Sequence, residues 1–200
     1  VDKLGLSDIN LMVQDWGGDI GMGFAVRHPQ KIKRLVLFNT AAFLSEKVPV
    51  RLKLCRVPGF ADIAIRGFNA FALAAVGMAC KNKERMTDEV RAGYLAPYNN
   101  FANRIGTLRF VQDIPMSSDA LSYSVVKNIE ENLEQFKSLP VMIAWGAKDF
   151  VFNDHFLKKW QGIFPEAEVH RVQDAGHYVV EDAYERIIPW IQEFLQKNPL

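Results

Sequence analysis

Two aspartates and one histidine stand in motifs where they could carry out covalent catalysis. Asp15 is the third residue of Val-Gln-Asp-Trp-Gly-Gly, Asp149 closes Trp-Gly-Ala-Lys-Asp, and His177 lies within Ala-Gly-His-Tyr. A carboxylate is ionised at pH 7 and can attack a saturated carbon without help from a base, which forms an ester with the substrate. A histidine can then activate water against that ester, and a second carboxylate can orient the imidazole.

Asp15 follows a short apolar stretch, residues 9–13, which predicts a buried strand. Gly17 and Gly18 give the room that a sharp turn needs when its nucleophile has a strained backbone conformation. The helix predicted for residues 20–28 would aim free N–H groups at the turn and favour negative charge there. This pattern predicts a nucleophile elbow, and the alternative is a turn aspartate that caps the helix.

His177 and Asp149 each follow a predicted strand, where the base and the acid of an elbow enzyme belong. The chain order of nucleophile, acid and histidine is the expected one. Asp154 is a competing acid, and Asp149 could instead be a helix-capping aspartate. The remaining histidines are weaker candidates, because they lie at the ends of predicted helices or inside a strand; they are His28, His155 and His170.

Trp16 directly follows Asp15 and carries an indole N–H donor. This donor could hold a leaving halide or carboxylate beside the nucleophile. The alternative is an aromatic side chain that only packs in the core.

The elements that must position these residues alternate between strand and helix at both ends of the chain. A second apolar run, residues 32–38, completes a strand–helix–strand unit, which implies a parallel sheet. Residues 41–139 are mostly helical in pattern and contain no strand-like run. The remaining predicted elements are strands at residues 141–145 and 168–172 and helices at 154–164 and 183–196.

The sequence therefore predicts an α/β fold in which a helical cap is inserted into a parallel sheet. We assign residues 1–44 and 139–200 to the core and residues 45–138 to the cap with its return to the core. The last helix is predicted to bury one apolar face, which consists of Ile187, Ile188, Ile191, Phe194 and Leu195.

Composition excludes several classes of function. Hydrophobic residues make up 49% of the 200 residues and the net charge is +1, without a basic stripe, so we predict no nucleic-acid partner. The longest apolar run, residues 68–80, is too short to span a bilayer. Cys55 and Cys80 form no close-spaced motif, so we expect free thiols and a cytoplasmic location. We also expect no metal and no cofactor.

The motif around Asp15, with Asp149 and His177 in order, resembles the haloalkane dehalogenase branch of the α/β-hydrolases. The resemblance implies an α/β-hydrolase fold with a cap. It also implies that a second oxyanion donor comes from a loop earlier in the fold than Val1. We therefore expect the chain to be a fragment of a protein of about 300 residues, without the first strands of the sheet.

Within this branch, residues 38–43, 95–98, 102–104 and 109–115 are similar to the β-lactone decarboxylases of olefin biosynthesis. Those enzymes convert a cis-3,4-dialkyl-oxetan-2-one into an alkene and carbon dioxide. The resemblance implies an apolar small-molecule substrate and an association with a β-lactone-forming enzyme. The residues that we predict to line the substrate pocket are Asn39, Phe71, Tyr98 and Phe110.

The sequence leaves three other functions open. A haloalkane dehalogenase would use the same Asp15, with water activated by His177. An epoxide hydrolase would need two cap tyrosines, for which Tyr94, Tyr98 and Tyr123 are available. A non-catalytic binding protein on this fold is opposed by the intact nucleophile, acid and histidine.

Overall fold

The centre of the molecule is a sheet of parallel strands. A computed structural model of the chain describes residues 1–45, 52, 55–57 and 59–200, so residues 46–51, 53, 54 and 58 of the predicted cap lie outside the described residues. The strands follow the order β1-β2-β3-β4 across the sheet. All four predicted strands are confirmed: β1 Ile9–Asp15, β2 Ile32–Thr40, β3 Val141–Gly146 and β4 Glu168–Val172.

Helices cover the sheet and form the segment between β2 and β3. In that segment the described residues contain no strand, as predicted. Residues Asp62–Gly67 form a π-helix, and single 3₁₀ turns connect several of the elements. The α-helices are α1 Gly17–Arg27, α2 Ala70–Met78, α3 Asp88–Leu95, α4 Ile105–Gln112, α5 Tyr123–Glu131, α6 Asp154–Ile163 and α7 Val179–Lys197.

Both faces of β2 and β3 are largely buried, which explains why residues 35–38 and 141–145 are continuous apolar runs. Successive side chains of a strand point to opposite faces. Leu35 and Leu37 therefore join one core cluster with residues of α1, α5 and α6, while Val36 joins a second cluster with residues of α7.

The last helix departs from its prediction in two respects. α7 begins at Val179 and bends at Ala183, the residue at which the helix was predicted to start. Ile187 and Phe194 are buried as predicted, but Ile188 is 48% exposed. The prediction was wrong for Ile188 because adjacent residues of a helix project about 100° apart, which places this side chain outside the narrow buried stripe.

Parallel pairing brings the carboxyl ends of the strands to one edge of the sheet. Asp15 at the end of β1 is in register with Thr40 at the end of β2. At the end of β3, the N–H of Ala147 donates to the carbonyl of Val172 on β4 at 2.9 Å. The loops that carry Asp149 and His177 leave the sheet at this same edge.

Gly18 and Gly17 give a matched test of the packing at the start of α1. A Cβ on Gly18 would lie 2.1 Å from Oγ1 of Thr40 and 2.2 Å from the carbonyl oxygen of Ala41, whereas a Cβ on Gly17 would meet nothing closer than 3.7 Å. We expect Gly18→Ala to lower the free energy of unfolding by about 2 kcal/mol or more, because the backbone must move. Urea denaturation measures the effect.

Gly17→Ala is the control. It should raise the free energy of unfolding slightly, by less than about 1 kcal/mol, since alanine favours a helix more than glycine does. Equal destabilisation by both variants would show that the turn does not depend on the close approach of Gly18 to β2.

Candidate active site

Asp15 lies at the turn between β1 and α1, where the backbone is strained. Its φ angle is 50°, a left-handed value that a residue with a Cβ rarely adopts. The hydroxyl of Thr40 donates a hydrogen bond to the carbonyl oxygen of Asp15, which helps to hold the turn. The strained turn predicted around Asp15 is therefore present, and it leaves 49% of the Asp15 side chain exposed.

His177 lies between two carboxylates. Its Nδ1 atom is 2.8 Å from Oδ2 of Asp149, and its Nε2 atom is 3.8 Å from Oδ2 of Asp15. The side chain of Asp149 is fully buried, and its Oδ1 atom accepts a hydrogen bond from the N–H of Val151 at 2.6 Å. The competing acid, Asp154, instead forms an ion pair with an arginine near the surface. The structure thus brings together Asp15, Asp149 and His177.

Two opposing effects set the pKa of His177. Burial lowers this pKa, because a charged imidazole is disfavoured away from water. The hydrogen bonds and negative charges of Asp149 and Asp15 outweigh burial and raise the pKa of His177 to about 10. The imidazole is therefore protonated at neutral pH. Loss of the Asp15 charge, as in an ester at this residue, would let His177 release its proton more readily.

Two residues that hold His177 were missed by the sequence analysis. The side-chain amide of Gln14 donates a hydrogen bond to the carbonyl oxygen of His177 at 2.6 Å. The ring of Phe152 stacks on the imidazole with 5.8 Å between the ring centroids. Gln14 could have been found, since it is a polar residue in an apolar strand beside Asp15. Phe152 carries no comparable signal because it lies in a loop.

A cavity of about 350 Å³ lies between Asp15 and the helices of the cap. Phe71 and Tyr98, two of the predicted pocket residues, line it together with Ala75 of α2 and Tyr178. Burial and the nearby charge of Asp15 raise the pKa of Tyr178 to about 12, so its phenol stays protonated. Apart from the Asp15 carboxylate, the tyrosine phenols and the hydroxyl of Thr107, the side chains that line the cavity are apolar, which suits an uncharged substrate.

Trp16 and Phe110 lie against each other, with 5.2 Å between their ring centroids. Trp16 directly follows Asp15 in the chain and is the N-cap residue of α1. Phe110 is 45% exposed and is not among the residues that line the cavity. The structure therefore places Phe110 behind Trp16 in a packing contact.

Asn39 lies elsewhere than predicted. Its side chain is fully buried, and its amide both accepts from the N–H of Gly146 at 2.7 Å and donates to the carbonyl of Gly146 at 3.1 Å. It does not line the cavity. Because Gly146 ends β3 and precedes the Asp149 loop, Asn39 joins the ends of two strands beneath that loop.

The tyrosines considered for epoxide chemistry are divided between different places. Tyr94 and Tyr98 line the cavity. However, the hydroxyl of Tyr94 donates to Glu181 at 3.0 Å, and burial together with Glu181 raises the pKa of Tyr94. Tyr123 begins α5 and is not a cavity residue. Among the described residues, the three tyrosines therefore do not form the pair of free hydroxyl donors beside Asp15 that an epoxide hydrolase would need.

Asp19, in the first turn of α1, is an acid that the sequence analysis did not single out. Its Oδ1 atom is buried and has no hydrogen-bond partner among the described residues. Burial raises the pKa of Asp19 to about 7, and the negative charges of Asp15 and Asp113 add to this effect. Much of Asp19 is thus uncharged at neutral pH, which limits the negative charge around Asp15.

Two further observations hold for the part of the chain that the structure describes. It contains no group of three histidine, cysteine or acidic side chains arranged to bind a metal ion. None of its helices is both long and apolar enough to cross a membrane.

The fold and the arrangement of Asp15, Asp149 and His177 define an α/β-hydrolase architecture. The α/β hydrolase fold family matches residues 1–184, and the chain belongs to this family. It is 44% identical over 202 residues to a cis-3-alkyl-4-alkyloxetan-2-one decarboxylase of Shewanella oneidensis, in a match that covers 99% of this chain and 63% of the relative. The chain thus spans less than two thirds of the length of this relative.

Haloalkane dehalogenases are more distant relatives. One from Mycolicibacterium paratuberculosis is 28% identical over 201 residues, which cover 97% of this chain and 64% of that protein. The crystal structure of the haloalkane dehalogenase DatA from Agrobacterium tumefaciens C58 superposes with a TM-score of 0.83 at 21% identity, and the match covers 99% of this chain and 69% of that one. This structural likeness confirms the predicted fold.

The raised pKa of Asp19 predicts a pH-dependent difference in stability. The folded protein binds the Asp19 proton more tightly than the unfolded chain, whose ordinary pKa is 3.8, so the stabilisation present at low pH is lost as pH rises through about 7. Asp19→Asn keeps the shape and stays neutral. We expect the stability of Asp19→Asn relative to the wild type to be greater at pH 9 than at pH 5 by about 2 kcal/mol or more.

Thermal denaturation at the two pH values measures this difference. Asp88→Asn is the control, because Asp88 is an exposed acid in the first turn of α3 and its loss should slightly destabilise the helix at pH 9. The same stability gap for Asp19→Asn at both pH values would contradict a buried, proton-holding Asp19.

Proposed function

We propose that Asp15 forms an ester with a saturated substrate carbon, and that the reaction is the decarboxylation of a long-chain cis-3,4-dialkyl β-lactone to an alkene. The observation that supports this best is the half-exposed Asp15 carboxylate on a strained turn, 3.8 Å from Nε2 of His177. The relative from Shewanella is named for a decarboxylase of such a lactone. The activity is proposed for the complete natural protein that contains this chain.

In the first step, a carboxylate oxygen of Asp15 attacks the ring carbon that bears the lactone oxygen. The carbon–oxygen bond of the ring breaks, and its electron pair goes to that oxygen, which leaves as part of a carboxylate. The N–H groups at the start of α1 and the indole N–H of Trp16 are the donors nearest to Asp15 in the chain, and they would stabilise this negative charge.

In the second step, the new carboxylate leaves as carbon dioxide. The electron pair of the broken carbon–carbon bond forms the alkene, and the bond between the substrate and Asp15 breaks to restore the aspartate. No water and no proton is consumed, so the two steps balance. Water would compete for the ester, so the decarboxylation depends on a bound apolar substrate that displaces water from the cavity beside Asp15.

His177 has a different task in this reaction from the one that it has in hydrolysis. A protonated imidazole held between Asp149 and Asp15 is a cation, not a base, in the resting site. We propose that this cation orients Asp15 for attack and stabilises the carboxylate of the opened ring. Asp149 keeps the imidazole in place through its 2.8 Å contact with Nδ1.

A haloalkane dehalogenase is the second candidate. The observation that favours it is the Asp149–His177 pair beside Asp15, which can serve as a base once Asp15 loses its charge in an ester. Water attack on the carboxyl carbon of Asp15 would then release an alcohol. A relative at 28% identity is named as a haloalkane dehalogenase.

Replacement of the nucleophile tests the proposal. We expect Asp15→Ala in the complete natural protein to lose alkene formation from a cis-3,4-dialkyl β-lactone by about 1,000-fold or more, because no ester can form. Gas chromatography measures the alkene. Asp154→Ala removes an acid that lies outside the cavity and should keep wild-type activity.

The products distinguish the candidate functions. Alkene formation that survives in Asp15→Ala would overturn the role of Asp15. A hydroxy acid from the wild type would show that water, not decarboxylation, resolves the ester. Bromide release from a bromoalkane, together with no reaction on the lactone, would favour the dehalogenase.

The position of cap helix α2 at the cavity predicts how the length of the substrate's alkyl chains affects binding. Ala75 lines the cavity, whereas its neighbour Ala74 is exposed. We expect Ala75→Phe to raise KM for a lactone with two long alkyl chains about tenfold or more, and to affect a short-chain lactone much less, because the added ring fills space that long chains need. Ala74→Phe should leave both substrates unaffected. Equal effects of the two variants would mean that α2 does not bound the substrate site.

A further inference from the structure

A single buried carboxylate joins the loop of His177 to the cap. Asp182 lies in the first turn of α7 and is 6% exposed. Its oxygens accept four hydrogen bonds at 2.7 to 2.9 Å, and the residues that supply the donors are Gly176, Cys80, Lys81 and Asn82.

These donors come from two separate segments of the chain. Gly176 precedes His177, whereas residues 80–82 follow α2 at the base of the cap. Two further contacts join the same segments. The N–H of Tyr178 donates to the carbonyl of Ala79 at 3.1 Å, and a Cβ on Gly176 would lie only 2.4 Å from that carbonyl oxygen. The residues on both sides of His177 are thus held against the base of the cap.

This arrangement connects two parts of the candidate active site. α2 supplies Phe71 and Val76 to the wall of the cavity, and its carboxyl end leads directly into the segment that Asp182 holds. Asp182 also holds Gly176, and the next residue, His177, has its Nε2 atom 3.8 Å from Oδ2 of Asp15. The contact of Asp182 therefore bears on both the position of the imidazole relative to Asp15 and the position of the cavity wall.

The charge and shape of a carboxylate are needed for this contact. An ionised carboxylate offers about four lone pairs and no donor, which matches four converging donors. An asparagine of the same shape has one acceptor oxygen, and its NH₂ group would face backbone N–H groups. With the NH₂ group in the place of Oδ2, the buried N–H of Gly176 would lack an acceptor, so the histidine loop would move away from the base of the cap.

We propose that Asp182 is a positioning residue, which ties the histidine loop to the base of the cap and thereby fixes His177 relative to Asp15. It does not touch the reacting atoms. The proposal rests on the proposed function for its effect on activity, while its effect on His177 can be observed without substrate.

The test compares Asp182→Asn with Asp174→Asn in the complete natural protein. Asp174 is an exposed acid three residues before His177, paired with Arg186. Titration of the His177 imidazole by NMR is the first measurement, since mere loss of global stability would not shift it. We expect Asp182→Asn to lower this pKa by about one unit or more, because the imidazole moves away from its carboxylates, and Asp174→Asn to leave it unchanged.

The second measurement is steady-state turnover of the lactone. Asp182→Asn should lower kcat about tenfold or more, and Asp174→Asn should not. A folded Asp182→Asn protein with wild-type kcat and an unchanged His177 pKa would overturn the proposal. If the wild type does not convert the lactone, the proposed function fails, while the titration still decides the role of Asp182.

A third measurement uses the wild type, in case Asp182→Asn does not fold. One acceptor group protects the backbone N–H groups of Gly176, Lys81 and Asn82. These three amides should therefore exchange with deuterium at similar rates. Rates that differ by more than about tenfold between Gly176 and residues 81–82 would show that the two segments open independently, against the proposal.

Discussion

The balance of charge around one imidazole is the interaction on which the rest of the site depends. His177 is a buried cation because Asp149 and Asp15 flank it, and burial alone would have made it neutral. The sheet provides this balance by bringing three strand ends to one edge. The neighbouring acid Asp19 disturbs it less than an ordinary aspartate would, since burial keeps much of Asp19 uncharged at neutral pH. If Asp19 were fully ionised, its negative charge would repel the negative charge that develops on the substrate beside Asp15.

The cap and the core are joined at the loop of His177, whose position must be fixed for the imidazole to stay between its two carboxylates. Gln14 holds the carbonyl of His177 from β1, and Asp182 holds the preceding residue from α7. Phe152 covers the imidazole ring. These contacts come from different elements, so no single loop movement can displace His177 without breaking bonds to the others. The cavity wall formed by α2 shares one of these anchors, which makes substrate binding and the histidine position interdependent.

Most of the core and the three central residues could be predicted from the sequence, for physical reasons. Buried parallel strands are short apolar runs, and a nucleophile turn needs the small residues that follow Asp15. The roles of Asn39 and Asp182 could not be predicted, because each bonds to backbone groups more than 100 residues away in the chain. Ile188 shows a further limit: apolar periodicity defines a face, but the width of that face depends on what packs against it.

The strained backbone at Asp15 has a consequence for how such a chain can evolve. A left-handed φ angle is comfortable for glycine and costs about 1 kcal/mol or more for aspartate. Selection for thermal stability alone would therefore favour glycine at this position. Once the reaction is no longer under selection, the φ angle of this turn does not oppose a change of Asp15 to glycine, so the surrounding fold should outlast the nucleophile.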